Sequence, residues 1–452
     1  MAARTGRRPL HLNAFLMGVG HHEAAWRLPG VDPAAALDVH HYVALARTAE
    51  RGLMDSVFFA DSPALVGDVG RRPAGTLDPT LLLAAMALAT ERIGLVATAS
   101  TSYDEPWNLA RRFASLDHLS GGRAGWNVVT TATLDAARNF GLDALPAHRD
   151  RYERAEEVVE VATALWDSWD DDAVLADQAA GVWGDATKVH PPEHVGRHFR
   201  VAGPLNLPRS PQGRPVLVQA GSSQDGRAFA ARHAEAVFTA QQTLAEAQDF
   251  CADVKDRARR LGRDPEHVVV LPGIVPVLGS TEAEARALER ELDELIRPEH
   301  ARDQLARTLR LAPEDLALDR PLPADLPAED EIEGAKSRYT LIVSLARRER
   351  LTVRELIGRL GGGRGHHTVV GTPEQVAGTM LAWADAGAAD GFNVMPPVLP
   401  AGLEVFVEEV VPLLQARGRF RTAYAGTTLR DHLGLPRPAV DRARGRQERV
   451  TA

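Results

Sequence analysis

The chain has 452 residues, of which 44% are hydrophobic and 25% are charged, as in a globular protein with a complete core. Its net charge of −9 argues against nucleic acid or an anionic membrane surface as the main partner. Cys251 is the only cysteine, which excludes an intrachain disulfide and a thiolate metal cluster.

Eight apolar runs of the β type alternate with amphipathic helical patterns along the chain. This alternation predicts a single-domain (β/α)8 TIM barrel, a fold of about 250 residues that leaves room for insertions. The runner-up is an open doubly wound sheet, but its Gly-x-Gly-x-x-Gly turn is missing after the first strand. The predicted strands are Leu10–Leu16, Ser56–Ala60, Ile93–Ala99, Ala124–Val129, Pro215–Ala220, Ala236–Thr239, Val268–Val277 and Gly391–Val394. The predicted helices are Leu37–Gly52, Pro79–Glu91, Pro106–Leu119, Arg151–Trp169, Gln224–His233, Leu244–Leu261, a stretch from Thr281, Pro373–Ala386 and Leu403–Ala416.

Two segments interrupt this alternation. Residues 170–214 are rich in Asp, Pro and Gly and contain a possible hairpin at Val195–Val201. Residues 298–366 carry an acidic, proline-rich stretch, a helix and a glycine-rich loop at Gly361–His367. Long segments of this kind inside a barrel are usually active-site lids or oligomer contacts. We assign both to one domain over residues 1–452, with a C-terminal extension at 418–452.

Polar residues at the carboxyl ends of the predicted strands are candidates for a site, because ligands bind there in parallel α/β folds. Asn127 projects from the fourth strand and must be satisfied by neighbours or face a ligand. Asp61 follows four apolar residues, so its carboxylate either meets donors of a ligand or backbone, or caps the next turn. His22 lies in the loop after the first strand. It either contacts the substrate or only keeps an exposed loop soluble, and the two interpretations are equally good.

The segment Gln219–Arg227 follows the fifth strand and opens a helix. Small residues at a helix N-terminus offer backbone N–H groups to an anion such as phosphate, and Ser222 and Ser223 add hydroxyls; an ordinary helix cap is the alternative.

His148 and Tyr152 share a helix face, which either contacts a phosphate or ring or is partly solvated. The three His-His pairs lack metal-binding spacing, so we expect no metal site.

Taken together, these segments resemble the bacterial-luciferase-like flavin-dependent monooxygenases, in the branch with nitrilotriacetate, EDTA, dibenzothiophene-sulfone and long-chain-alkane monooxygenases. The resemblance implies a (β/α)8 barrel with insertions, FMN used in its reduced form (FMNH2), and O2 as co-substrate. It also implies a separate NAD(P)H:flavin reductase that supplies the reduced FMN. The matching segments, which follow the family's order, are Gly20–Arg27, Ala49–Asp61, Glu91–Thr101, Glu105–Arg111, Leu119–Asn127 and Phe420–Arg430.

The resemblance also assigns roles by position. Thr98 and Asn127 would lie at the edge of the isoalloxazine ring, near the point where oxygen reacts, and with His22 they are our candidate catalytic residues. Whether oxygen adds to the flavin at C4a or at N5 stays open. Tyr152 and the two serines would hold the 5′-phosphate. The residues on the family's FMN-contacting pattern are Asp61, Thr98, Asn127, His148, Tyr152, Ser222 and Ser223.

The function that follows is a two-component FMN-dependent monooxygenase acting on a small organic substrate, by hydroxylation or by C–N or C–S cleavage. The second insertion would serve as a lid that excludes water. The alternatives are an F420-dependent hydride-transfer oxidoreductase of the same superfamily and a non-catalytic flavin-binding relative; Trp26 and the segment at Tyr424 favour the monooxygenase. We expect a cytoplasmic protein, because neither a transmembrane run nor a signal peptide is apparent. We also expect it to be a homodimer or homotetramer. The sequence names neither substrate nor reductase.

Overall fold

The computed structural model describes residues 8–65, 69–70, 73, 75–328, 331–332 and 336–440. The expected end of the C-terminal extension, residues 441–452, lies outside the described residues, as do residues 1–7 of the N-terminus. Within the described ranges, no helix combines the length and the apolar character that crossing a membrane requires.

Among the described residues, nine of the thirteen strands build one parallel sheet, and the other four form antiparallel hairpins. The strands are β1 His11–Phe15, β2 Ser56–Phe59, β3 Gly94–Ser100, β4 Ala124–Val129, β5 Val174–Asp177, β6 Val182–Gly184, β7 His194–Val195, β8 Arg200–Val201, β9 Val216–Gln219, β10 Ala236–Thr239, β11 Val269–Leu278, β12 His367–Gly371 and β13 Gly391–Val394. The barrel runs β1–β2–β3–β4–β9–β10–β11–β13, and β13 pairs with β1 to close it. This closure confirms the predicted (β/α)8 barrel and excludes the open sheet.

Helices follow the barrel strands and surround them. They are α1 Val39–Arg51, α2 Pro79–Ala89, α3 Pro106–Ser120, α4 Leu134–Asn139, α5 His148–Trp166, α6 Gln224–His233, α7 Leu244–Arg260, α8 Glu282–Glu294, α9 Pro298–Leu309, α10 Lys336–Glu349, α11 Val353–Gly363, α12 Pro373–Asp385, α13 Ala401–Val405, α14 Val411–Ala416 and α15 Leu429–His432. A π-helical segment, Phe406–Val410, joins α13 to α14. Helix α5 begins at His148 rather than at the predicted Arg151.

The two insertions contain elements that the sequence pattern did not predict. In the first, β7 and β8 form the expected hairpin, and β5 and β6 form a second one. In the second, the predicted glycine-rich loop is wrong, because α11 continues through Gly363 and β12 begins at His367. A Cβ at Gly361 would lie 2.5 Å from Ile296 Cδ1, so this glycine allows close helix packing. Strand β12 pairs with the carboxyl half of β11.

The second insertion packs over the carboxyl ends of the barrel strands, which we call the barrel mouth. Its helices share a hydrophobic cluster of their own, with Leu305, Ile342 and Leu356 inside it. Ala24, from the loop after β1, belongs to the same cluster. The backbone N–H of Glu23 also donates to the carbonyl of Gly361 at 3.0 Å. The insertion is therefore attached to the mouth.

The described part of the C-terminal extension closes the opposite end of the barrel. Leu429 of α15 is fully buried among the inward-facing residues of the strands. A Cβ at Gly94, the first residue of β3, would lie 2.5 Å from Leu429 Cδ1. The neighbouring Arg430 pairs with Glu235, just before β10, with Nη1 2.6 Å from Oε1. These contacts make the extension a plug of the barrel core.

Replacing Leu429 by alanine should lower the free energy of unfolding by about 2–5 kcal/mol, because it leaves a cavity between strands that cannot collapse. Urea denaturation followed by circular dichroism measures this loss. The control is Leu88→Ala, since Leu88 is 82% exposed and should change stability little. Equal effects of the two substitutions would show that the extension does not contribute to the core.

Candidate active site

Three aromatic side chains lie across the barrel interior below its mouth. The ring centroids of Phe15 and Phe58 are 4.7 Å apart, and those of Phe15 and Phe238 are 5.5 Å apart. All these contacts are edge-to-face, the arrangement that aromatic quadrupoles favour. We call Phe15, Phe58 and Phe238 the aromatic floor. It separates the hydrophobic barrel core from the polar side chains that face the mouth.

Thr98 and Asn127 form a buried pair on one wall above this floor. They are register partners on β3 and β4, and Asn127 Nδ2 donates to Thr98 Oγ1 at 2.8 Å. The Thr98 hydroxyl donates its single proton to the carbonyl of Phe59, also at 2.8 Å. The amide of Asn127 must therefore turn its N–H toward Thr98.

This orientation leaves the amide oxygen of Asn127 as an acceptor. Asn127 is 2% exposed, and Oδ1 finds no hydrogen-bond partner among the residues that the structure describes. A buried polar atom in this state costs free energy unless a water or ligand pairs with it. The wall thus offers one acceptor to a ligand with an N–H or O–H group.

A second polar group lies where α5 and α6 begin. Ser223 is the N-cap of α6, and its Oγ accepts from the backbone N–H of Gly226 at 3.1 Å. Burial raises the pKa of Tyr152, whereas hydrogen bonding of its hydroxyl to Ser223 and Thr130 opposes this rise. Ser222 Oγ lies 3.1 Å from Thr239 Oγ1. Hydroxyls and a helix N-terminus therefore converge, as a phosphate requires.

The backbone before α6 makes this group a cradle. A Cβ at Gly221 would lie 2.3 Å from Gln219 Nε2 and 3.2 Å from the Tyr152 hydroxyl. A side chain at this position would force the Gln219 amide to move. His148 Nδ1 lies 3.0 Å from the Asp225 carboxylate and thereby joins the first turn of α5 to that of α6. The structure thus brings His148, Tyr152, Ser222 and Ser223 together, as the sequence analysis expected of a shared site.

Asp61 lies in the loop that follows β2. Burial raises the pKa of its carboxyl, the backbone N–H of Ser62 opposes this rise, and the carboxylates of Asp78 and Asp104 add to it. The backbone N–H of Ser62 is therefore one of the donors that the sequence analysis required for the Asp61 carboxylate. Within the described structure, the side-chain hydrogen bonds of Thr98 and Asn127 do not involve Asp61.

His22 is held within the loop after β1 by both of its ring nitrogens. Nδ1 accepts from the backbone N–H of Ala24 at 3.1 Å, and Nε2 lies 3.4 Å from Asp293 of α8. The neighbouring His21 instead packs its ring edge-to-face on Phe15, with the centroids 4.5 Å apart. Burial lowers the pKa of His21 to about 3, so its ring is neutral. His21, rather than His22, contacts the aromatic floor.

His366 completes the opposite wall, and the sequence analysis gave it no role. Its ring stacks on Phe238 at 5.1 Å and 4°. A Cβ at Gly273 would lie 2.3 Å from its Nδ1, so this glycine of β11 makes room for the imidazole. A glycine inside an apolar strand signals such a close approach, but not which residue approaches. Burial strongly lowers the pKa of His366.

A cavity of about 1610 Å³ lies at the amino-terminal ends of the strands, beside Cys251, Lys255 and Arg419. It contains neither the Thr98–Asn127 pair nor the cradle at α6. Burial raises the pKa of Cys251 to about 11, so its thiol is protonated and unreactive. Because ligands of TIM-barrel enzymes bind at the carboxyl ends of the strands, the mouth is the candidate active site.

Comparisons with known proteins show the family to which this chain belongs. The family model of the luciferase-like monooxygenases matches residues 21–390. N-acetyl-S-(2-succino)cysteine monooxygenase of Bacillus subtilis is 48% identical over 96% of this chain and 98% of its own. Nitrilotriacetate monooxygenase component A of Aminobacter aminovorans is 49% identical over 95% of this chain and 97% of its own. A structure of riboflavin lyase with modified FMN and riboflavin covers 94% of this chain and 96% of its own, with 31% identity and a TM-score of 0.83.

These matches are high in identity and extend over nearly the whole chain, and they agree with the closed barrel described above. The chain therefore belongs to the luciferase-like monooxygenase family, in the branch that contains the nitrilotriacetate, EDTA and dibenzothiophene-sulfone monooxygenases.

Proposed function

We propose that the protein is the oxygenase component of a two-component system. It takes reduced FMN from a separate NAD(P)H:flavin reductase and uses O2 to oxygenate a small organic substrate, by hydroxylation or by cleavage of a C–N or C–S bond. The observation that carries this proposal is the pairing, at one barrel mouth, of an anion cradle at α6 with the unpaired acceptor of Asn127. The relative named component A supports a partner reductase.

The residues at the cradle fit the phosphate of FMN. The N-terminus of α6 contributes its positive end, and Ser222, Ser223 and Tyr152 contribute hydroxyls. Gly221 keeps the cradle free of side-chain atoms. When bound in its reduced form, FMN supplies the electrons that activate O2. The protein's task is to hold and orient the cofactor and to shield the reaction from water.

The Thr98–Asn127 pair fits a ring that presents N–H groups. The Thr98 hydroxyl fixes the amide of Asn127, so that Oδ1 is held as an acceptor before any ligand arrives. A reduced isoalloxazine ring carries more N–H donors than the oxidised ring does. The uncharged amide adds no negative charge beside an anionic reduced flavin. Asn127 would thereby orient the ring and favour its reduced form.

The remaining residues of the mouth exclude water. The aromatic floor closes the barrel below, and the neutral rings of His21 and His366 stand beside it. The second insertion, attached through Glu23 and Gly361, covers the mouth from above. This arrangement supports the expected role of the insertion as a lid. The family assignment favours oxygen chemistry over the F420-dependent alternative, and oxygen consumption separates the two.

Replacing Ser223 by aspartate should weaken FMN binding by about tenfold or more, or about 1.4 kcal/mol, because a carboxylate then faces the phosphate. Aspartate is also a good N-cap, so α6 should remain intact. Thr281→Asp is the matched control, since Thr281 caps α8 in the same way but lies outside the cradle. Fluorescence titration with FMN gives both affinities. An unchanged FMN affinity in Ser223→Asp would show that the phosphate of FMN does not bind at this site.

The purified protein should not oxidise NADH when only FMN and air are added. It lacks the glycine-rich dinucleotide fingerprint that would bind the nicotinamide cofactor. Oxygen uptake should appear once a flavin reductase or chemically reduced FMN is supplied. The control is the same amount of reductase without this protein. NADH oxidation by the pure protein would contradict the division of labour between two components.

Asn127→Ala should keep the fold and most of the FMN affinity while lowering the yield of oxygenated product per reduced FMN consumed. The missing electrons should appear as hydrogen peroxide, because the ring is no longer held in its reactive position. Asn108→Ala is the control, since Asn108 is exposed on α3. Product and peroxide are quantified with any substrate that the wild type oxygenates. Full coupling in Asn127→Ala would make Asn127 a structural residue only.

A further inference from the structure

Two arginines of the second insertion stand beside His366 at the barrel mouth. Arg338, near the start of α10, donates from Nη1 to the backbone carbonyl of Arg364, directly after α11. Arg364 is two residues from His366, whose ring stacks on the aromatic floor. We call Arg338, Arg364 and His366 the insertion wall. The wall reaches the barrel interior through His366, which stacks on Phe238 of the aromatic floor.

The insertion wall carries positive charge and neutral rings. Burial lowers the pKa of His366, and the guanidinium groups of Arg338 and Arg364 lower it further. The Arg364 guanidinium also opposes protonation of His21, where burial is the larger cause of the lowered pKa. At neutral pH both imidazoles are therefore uncharged, and the guanidinium groups are the cations of this wall.

Arg338 differs from three arginines of the interior, of which two pair with carboxylates and one is saturated with hydrogen bonds. The saturated one, Arg123, is 2% exposed and donates four hydrogen bonds to backbone carbonyls and one to the Thr90 hydroxyl. Arg209 pairs with Asp167 at 3.1 Å, and Arg430 pairs with Glu235 at 2.6 Å. In the part of the chain that the structure describes, Arg338 has a carbonyl partner but no carboxylate partner. Arg338 is partly buried, and this burial lowers the pKa of its guanidinium. A partly buried cation without a counter-ion costs free energy, and such groups are concentrated at ligand sites.

We propose that the substrate is a small carboxylate anion and that Arg338 binds one of its carboxylates at the barrel mouth. A guanidinium binds a carboxylate through two parallel N–H···O bonds, which fix both position and orientation. The apolar floor and the neutral imidazoles then contact the uncharged part of the molecule. This assignment of a substrate class rests on the monooxygenase function proposed above. It adds Arg338 as a residue that determines specificity.

Binding measured without turnover tests this proposal. The full-length protein, loaded with oxidised FMN, is titrated by calorimetry with nitrilotriacetate, citrate and succinate, and with neutral dibenzothiophene sulfone. The variants are Arg338→Gln and Arg338→Lys. The matched control is Arg354→Gln, because Arg354 belongs to the same insertion but is exposed and pairs with Asp319 at 2.9 Å. Thermal unfolding and FMN affinity are measured for every variant.

The wild type should bind at least one of the carboxylates and prefer it to the sulfone. Arg338→Gln should weaken that binding by about tenfold or more, Arg338→Lys should weaken it less, and Arg354→Gln should leave it unchanged. FMN affinity should stay the same in all variants, which separates a substrate carboxylate from the cofactor phosphate. Added salt should weaken carboxylate binding to the wild type, a measurement that needs no variant to fold.

Other results overturn the proposal. If Arg338 only satisfies the carbonyl at the end of α11, Arg338→Gln will unfold at a lower temperature yet bind carboxylates as the wild type does. Binding of the sulfone with none of the carboxylates, or salt-independent binding, also contradicts a carboxylate substrate. The proposed function can fail separately. If the protein binds carboxylates through Arg338 but oxygenates none of them with reduced FMN, the anion site stands and the monooxygenase function proposed above is wrong.

Discussion

The pairing of β13 with β1 is the constraint on which the rest of this structure depends. It closes the sheet, so that strands far apart in sequence end at one mouth. Thr98 and Asn127 meet because β3 and β4 lie in register within that closed sheet. The cradle at α6 reaches the same mouth because β9 is the next strand of the barrel. Closure thus turns separate strand ends into one site.

The two ends of the barrel are closed in different ways, and this difference separates stability from function. At the amino-terminal end, Leu429 fills the core and Arg430 is matched by Glu235. Although burial acts to raise the pKa of Glu235, the guanidinium of Arg430 lowers it, so the pair stays charged and satisfied. At the mouth, the amide oxygen of Asn127 has no hydrogen-bond partner within the described structure, and Arg338 has a backbone carbonyl as its partner there. The packing at the amino-terminal end stabilises the fold, whereas the polar groups at the mouth are available to bind ligands.

Much of this architecture follows from the sequence, because apolar runs reveal buried strands and a proline after a capping residue marks helix starts. A shared location of Thr98 and Asn127 at the edge of the flavin ring was expected from the family resemblance, and their roles stay a prediction; the hydrogen bond between them was not expected. Strand β12 and the helical Gly361–Gly363 were missed, because glycines favour loops unless a tertiary contact demands close packing. The contact of His366 with Phe238 joins distant segments, and no local pattern encodes it. That Arg338 has no carboxylate partner among the described residues is likewise a tertiary property.

The central claim is that FMN binds at the mouth, with its phosphate in the α6 cradle and its ring beside the Thr98–Asn127 pair. A crystal structure of the protein with FMN tests this most directly. The account predicts phosphate oxygens within hydrogen-bond distance of Ser223 and Tyr152, and a ring N–H within that distance of Asn127 Oδ1. FMN bound instead in the cavity at the amino-terminal ends of the strands, beside Lys255 and Arg419, would contradict it.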